Sequence, residues 1–151
     1  MNTDLRAFLV ESNGIEGITE EPTDALMACA DTFIRKDVVT IEDLQRLAYV
    51  FQSDARLRDQ PGMDVRVGDY HPPKGGLYVR ETLVDILSYG MKFTPRQIHQ
   101  DYETLHPFTD CNGRTGRLLW LWQMEKSHGG APRLFLHEWY YQTLSEGRCL
   151  N

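Results

Sequence analysis

The chain has 151 residues, with 16 Lys+Arg against 22 Asp+Glu for a formal charge of −6 and 41% hydrophobic residues. A chain of this length buries roughly two-thirds of its unfolded surface, so one core forms without disulfide or metal, and disorder as the main state is excluded. The acidic balance opposes non-specific attachment to nucleic acid or anionic lipid; no apolar run reaches the about 18 residues of a membrane helix, and the opening MNTDLRAFLVE lacks a signal-peptide pattern. A cytoplasmic protein with no membrane partner and no direct nucleic-acid binding is expected.

Leu5, Phe8 and Leu9 recur at helical spacing and predict a first helix running to Glu16, where Gly17 offers a left-handed stop. Gly14 weakens that helix by about 1 kcal/mol, so it needs tertiary contacts. Pro22 and Asp24 open a second helix carrying Leu26, Ala30, Phe33 and Ile34. Thr40 followed by Asp43 resembles a capping box and opens a third with Leu44, Leu47, Ala48 and Phe51. From Asp59 to Tyr78 the pattern changes: Pro61-Gly62, the alternation Val65, Val67, then His71-Pro72-Pro73-Lys74-Gly75-Gly76 predict a short β-hairpin or flap. Helical spacing resumes at Val79, Leu83, Ile86 and Leu87 until Gly90. Thr94-Pro95 is an N-cap with proline at the first helical position before Ile98, Tyr102 and Leu105, and Pro107 disfavours helix at His106. Leu118 to Met124 is apolar on nearly every side, the mark of a buried central helix, which Gly129-Gly130 ends. A last helix carries Trp139, Tyr140 and Leu144. The fold class is therefore all-α with one small β-hairpin.

Cys29, Cys111 and Cys149 form no C-x-x-C pair, and His71, His99, His106, His128 and His137 form no H-E-x-x-H, so neither a disulfide framework nor a zinc site fits. The chemistry concentrates in His106-Pro107-Phe108-Thr109-Asp110-Cys111-Asn112-Gly113-Arg114-Thr115-Gly116-Arg117, a loop emptying into the central helix. A helix N-terminus presents unpaired N–H groups and the positive end of the dipole, which attract phosphate. Asn112-Gly113 lets the backbone curl, and Arg114 and Arg117 share a face where guanidiniums suit bidentate phosphate contacts. Asp110 supplies a carboxylate for Mg²⁺ among phosphate oxygens, and His106 can accept a proton near neutral pH. The segment is not a Walker A loop, because it lacks G-x-x-x-x-G-K-[ST] and no strand precedes it.

His106, Phe108, Asp110, Asn112, Gly113, Arg114 and Arg117 resemble the Fic family signature H-x-F-x-[D/E]-G-N-G-R-x-x-R, with Cys111 in place of the usual glycine. His99 to Leu105 resembles the helix leading into that motif, and Val65 to Val79 the flap that docks target proteins. The resemblance implies a Fic fold and transfer of AMP from Mg²⁺-ATP to a Ser, Thr or Tyr hydroxyl of a target protein. It makes His106 the base and Asp110 the Mg²⁺ ligand; Cys111, Asn112, Gly113 and Arg114 belong to the phosphate cradle, and Arg117 holds the γ-phosphate. Val65, Val67, Gly68 and Tyr70 would dock the target. The Doc branch transfers phosphate and carries lysine where Gly113 stands, so Gly113 favours nucleotide transfer.

Ser12-Asn13-Gly14-Ile15-Glu16-Gly17 resembles the family's inhibitory motif [S/T]-x-x-x-E-[G/N], which implies that Glu16 pairs with Arg117 and displaces the γ-phosphate. Residues 1–18 then form an inhibitory segment and 19–151 the Fic domain, within one compact unit. Trp120, Trp122 and Trp139 read as core packing, His71 as a turn residue and His99 as a support for the motif loop. Cys111 is either a redox-sensitive thiol beside arginines or a tolerated small residue. Two alternatives remain: removal of AMP with Glu16 activating water, or a Fic-like binding or toxin-antitoxin module disabled by Cys111. Whether copies of the chain form a homo-oligomer is left open.

Overall fold

In the computed structural model, which describes residues 3–89 and 92–128, six α-helices supply the regular structure of the described residues: α1 Thr3–Ile15, α2 Asp24–Ile34, α3 Ile41–Phe51, α4 Leu77–Ser88, α5 Pro95–Leu105 and α6 Asn112–His128. Their starts follow the caps written in the sequence. Thr23 Oγ1 accepts from Leu26 N–H at 3.1 Å, and reciprocal capping boxes pair Thr40 with Asp43 and Thr94 with Gln97. α1 continues through Gly14 and ends before Gly17, whose φ of +74° is the left-handed turn expected there.

Leu118, Leu119 and Leu121 of α6 are buried, and the helix packs against α1, α2, α3 and α5, while α4 rests on α5. α6 is thus the central helix its all-round apolarity predicts. Leu5, Phe8 and Leu9 of α1 join the same hydrophobic cluster as Leu44, Leu83 and Ile98, so α1 is built into the core. Glycine is required where α5 and α6 meet, since a Cβ at Gly116 would collide with the Glu103 carboxylate and lie 2.9 Å from the Tyr102 ring. Trp120 and Trp122 pack on the core, and Trp122 Nε1 donates to the Lys36 carbonyl at 2.7 Å. The predicted stops at Gly90 and Gly129-Gly130, the last helix with Trp139, Tyr140 and Leu144, and Cys149 lie outside the described residues. No helix among the described residues is long and apolar enough to cross a membrane.

One expectation is corrected. The β-hairpin over the flap does not form: among the described residues the stretch 59–78 contains only a single bridge, Val67 with Tyr70 across Gly68-Asp69. Pro61, Pro72 and Pro73 have no N–H to donate to a ladder. Carbonyls that a partner strand would use are taken by a side chain instead, with Arg58 Nη1 donating to Met63 O at 3.0 Å and Pro73 O at 2.9 Å.

His99 is buried in α5, and its Nδ1 lies 3.0 Å from the Gly116 carbonyl, which selects the Nδ1–H tautomer. It therefore ties α5 to the α6 end of the motif. Burial pulls its pKa from 6.5 to about 3, the Gly116 bond opposing and Arg117 assisting. Between those values the unfolded chain binds the proton and the folded chain does not, so stability is complete above about pH 6.5 and falls as the pH drops toward 3. The slope from this one group reaches about 1.4 kcal/mol per pH unit. Urea titrations of the parent and His99→Gln at pH 7 and 4.5 should give a smaller acid loss for the variant, whose amide can still donate to Gly116.

Candidate functional site

Between α5 and α6 the chain must turn back on itself within residues 106–111, and two non-glycine residues take left-handed backbone to do so: His106 at φ 52° and Cys111 at φ 58°. Such a conformation costs an L-residue roughly 1–2 kcal/mol, so tertiary contacts must hold it. The middle of the loop is pinned to the chain after α3: Leu57 bridges Phe108, Arg58 N–H donates to Pro107 O at 2.8 Å, and Thr109 N–H to Arg56 O at 2.9 Å. Asn112 closes the loop from within, its Oδ1 accepting from Phe108 N–H at 2.8 Å and its Nδ2 donating to Phe108 O at 2.7 Å. The Asn112 amide is thus spent on the loop's own backbone; only its main-chain N–H remains for the cradle.

At the start of α6 the amides of Asn112, Gly113 and Arg114 have no intrahelical acceptor. Asp110 is exposed and its Oδ1 accepts from Cys111 N–H at 2.6 Å. Arg114 is buried with its guanidinium carbon 5.2 Å from the Phe51 ring centroid, and its Nε has no hydrogen-bond acceptor among the described residues. A buried, unanswered N–H beside a helix N-terminus is what a phosphate oxygen satisfies. No cluster of three or more His, Cys, Asp or Glu that could hold a metal occurs among the described residues. The Asp110 carboxylate alone fits Mg²⁺ only in company with phosphate oxygens, the usual manner of that ion.

Cys111 is buried, its thiol directed at the Ala48 carbonyl 3.7 Å away in α3. Burial pushes its pKa up to about 12 in spite of Arg114. Burial of the thiol and its raised pKa both weigh against the redox-sensitive reading. What remains is a small side chain that packs well in a backbone conformation suited to glycine. The Cys111 carbonyl receives the Thr115 hydroxyl at 3.0 Å, and Tyr102 OH lies 2.7 Å from that hydroxyl, which locks the first turn of α6 onto α5.

Arg117 is fully buried one turn further on. Its Nε donates to Ser12 Oγ at 2.7 Å, and its Nη2 to Ser12 O at 2.9 Å and to Glu16 Oε1 at 2.7 Å. The structure thus brings Ser12 of α1 and Glu16, just beyond its end, together with the distant Arg117. Glu16 Oε1 also occupies the space in which a Cβ at Gly113 would stand. Gly17 ends α1 without contributing to the cluster.

Residues 96–124, covering nearly all of α5, the loop and most of α6, match the family model described as Fic/DOC. This match supports membership of the Fic/DOC family. No curated protein matches it. A Fic/DOC domain is consistent with a transferase of the AMP-transferring type. Of the flap residues, Gly68 takes a φ of 59° in the tight turn, and Tyr70 OH donates to the Thr104 carbonyl at 2.7 Å. Val65 and Val67 are half-buried, and Val67 N–H is bonded to Tyr70 O at 2.9 Å rather than presented to a docking strand.

Two contributors were not legible beforehand. Phe51 reads as an apolar core position of α3, with nothing to mark its contact with Arg114. Arg58 stands alone in a loop, yet it is fully buried and gives its N–H groups to four carbonyls, two at the end of α5 and two in the flap. A lone arginine carries no pattern that distinguishes it from a solvated one.

Cys111 sets relief of backbone strain against loss of packing. Cys111→Ala keeps the left-handed φ and loses the sulfur, whereas Cys111→Gly loses both side chain and strain. Denaturant unfolding should find the glycine variant more stable than the alanine variant by about 1 kcal/mol, the reverse of the order in a helix interior.

Proposed function

We propose that the protein transfers AMP from ATP to a hydroxyl side chain of a target protein and that α1 represses the reaction through Glu16. The observation carrying this reading is the ion pair of Glu16 with the buried Arg117, made directly over Gly113 at the head of α6. A γ-phosphate drawn to Arg117 must displace that carboxylate. ATP held less deeply would present its α-phosphate in the wrong orientation for attack.

In this reading the amides of Gly113 and Arg114 and the guanidiniums of Arg114 and Arg117 receive the phosphates. Asp110 would hold Mg²⁺, which when bound neutralises charge on the phosphate oxygens. His106 removes the proton from the target hydroxyl as its oxygen attacks the α-phosphorus in line with departing pyrophosphate. The protein's part is placement and charge stabilisation. Crowding at Gly113 also bears on the choice between nucleotide and phosphate transfer, since a lysine side chain there would collide with Glu16 in its observed place. The flap between α3 and α4 is where the target would lie. The opposite reaction, removal of AMP, draws support from the same carboxylate, whose side chain is 39% exposed and so open to a water it could activate.

Incubation of the parent, Glu16→Gly and Glu16→Gly/His106→Ala with labelled ATP and Mg²⁺, with mass spectrometry of the product, tests the reading. Loss of a charge-assisted hydrogen bond with one partly exposed partner is worth about 1–2 kcal/mol, so Glu16→Gly should raise AMP transfer roughly 5- to 30-fold. His106→Ala should remove it while ATP still binds. Transfer of phosphate, or equal turnover with and without His106, would overturn the proposal.

Gly113→Ala offers an independent route to release. Its Cβ would strike Glu16 Oε1, the far end of a flexible side chain, and should expel the carboxylate without altering α1. Calorimetry should show tighter ATP binding to Gly113→Ala than to the parent, and no such difference when both also carry Glu16→Gly.

A further inference from the structure

Arg58 is a charged side chain with no exposure to solvent, and everything it does is done by its five N–H groups. Nε donates to His106 O at 2.7 Å and Nη2 to Leu105 O at 3.0 Å, the carbonyls at the end of α5. Nη1 donates to Met63 O at 3.0 Å and Pro73 O at 2.9 Å, one near each end of the flap. The main chain of Arg58 repeats the pattern, its N–H reaching Pro107 O at 2.8 Å and its carbonyl receiving Gly76 N–H at 2.9 Å. Burial lowers its pKa, opposed by Asp64 and Tyr70.

The arrangement answers two physical demands at once. The last carbonyls of a helix lack intrahelical donors and carry the negative end of the dipole, so a planar cation there is favoured. His106, left-handed and followed by proline, departs from the extended backbone a residue before proline prefers and needs an external hold. The flap, having no ladder of its own, takes its shape from bonds to its ends; Gly75 must be glycine, since a Cβ would lie 2.6 Å from Met63 O and 2.8 Å from Gln60 O.

We infer that Arg58 is a positioning residue that fixes the His106 backbone and the base of the flap on one guanidinium, so that the base and the docked target hydroxyl keep a single geometry. The inference rests on the proposed AMP transfer for its catalytic consequence. The mechanical part, one guanidinium joining two loops, stands on the contacts alone. Misplacement of a base by about 1 Å costs roughly a hundredfold in rate. A lysine has three donors on a flexible stem and cannot reproduce the fork.

The test places Arg58→Lys and Arg58→Gln in the Glu16→Gly background. The expected result is ATP binding with unchanged stoichiometry and affinity by calorimetry, a fall in kcat of roughly a hundredfold and a rise in KM for the target. The stoichiometry separates mispositioning from a loss of folded protein. A kcat within twofold of the Glu16→Gly parent, or one that falls only in step with bound ATP, overturns the inference.

Amide exchange on the chain without substitution supplies the second arm and serves also if the variants do not fold. Gly76 N–H and Arg58 N–H should open with the same free energy and the same dependence on denaturant as His106 N–H, because one side chain spans the three. Independent opening of the flap base and the motif loop overturns the inference whether or not the protein transfers AMP. If the Glu16→Gly parent shows no transfer, the proposed function has failed, and exchange alone decides the role of Arg58.

Discussion

A guanidinium in the middle of a helical bundle must find acceptors, because an unanswered buried charge costs several kcal/mol. Arg117 lies on α6, the helix around which α1, α2, α3 and α5 pack, and its solvent exposure is nil. Its acceptors come from α1 and the residue that follows it: a serine hydroxyl, a backbone carbonyl and the Glu16 carboxylate. The consequence is a structural dependence between the first helix and the site loop. The Ser12 contacts with Arg117 do not depend on Glu16, so under the proposed function the carboxylate could give way to a phosphate while α1 stays in the core. A pair of ligands, one polar and inward, one charged and near the surface, allows occupancy to change without unfolding the helix that carries it.

The site loop is shaped by backbone conformations that local preference disfavours. His106 and Cys111 bracket it with positive φ, and each is stabilised from outside the loop: His106 by Arg58, Cys111 by its packing against α3 and by the Thr115 hydroxyl. Between them Asn112 folds the loop upon itself through Phe108. Strain of this kind persists only where surrounding contacts over-determine it. Here those contacts come from α3, α5 and the chain leading to the flap. The geometry at the head of α6 is therefore a property of the whole bundle, and substitutions in α3 or in the flap base reach it without touching a ligand.

Two arginines within one helical turn have acquired different environments. Arg114 is held over the Phe51 ring with a donor unspent, which keeps a cation ready at low reorganisation cost. Arg117 is committed to α1. One guanidinium with an unspent donor and one bonded to Ser12 and Glu16 thus coexist near one helix N-terminus, and the separation follows from which neighbouring helix each side chain meets.

The sequence by itself determined the helices and the motif. Capping residues and apolar spacing are local, so α3 and α5 begin where Thr40 and Thr94 place them, α2 begins at the expected Asp24, and the apolar girth of α6 already implied a central position. The twelve residues from His106 to Arg117 and the Ser12, Glu16 pair were likewise readable, because their spacing is meaningful within a turn or loop. Only the tertiary structure decided what those groups do to one another. The flap could not be read as a single bridge, because its carbonyls are claimed by Arg58 from outside the strand pattern. Nor could Asn112 be read as a loop clamp, the choice between the two readings of Cys111 be made, or the acceptor of His99 be named, since hydrogen-bond partners and burial belong to the packed chain. Periodicity reports which face is apolar; it carries no information about where a buried polar group finds its partner.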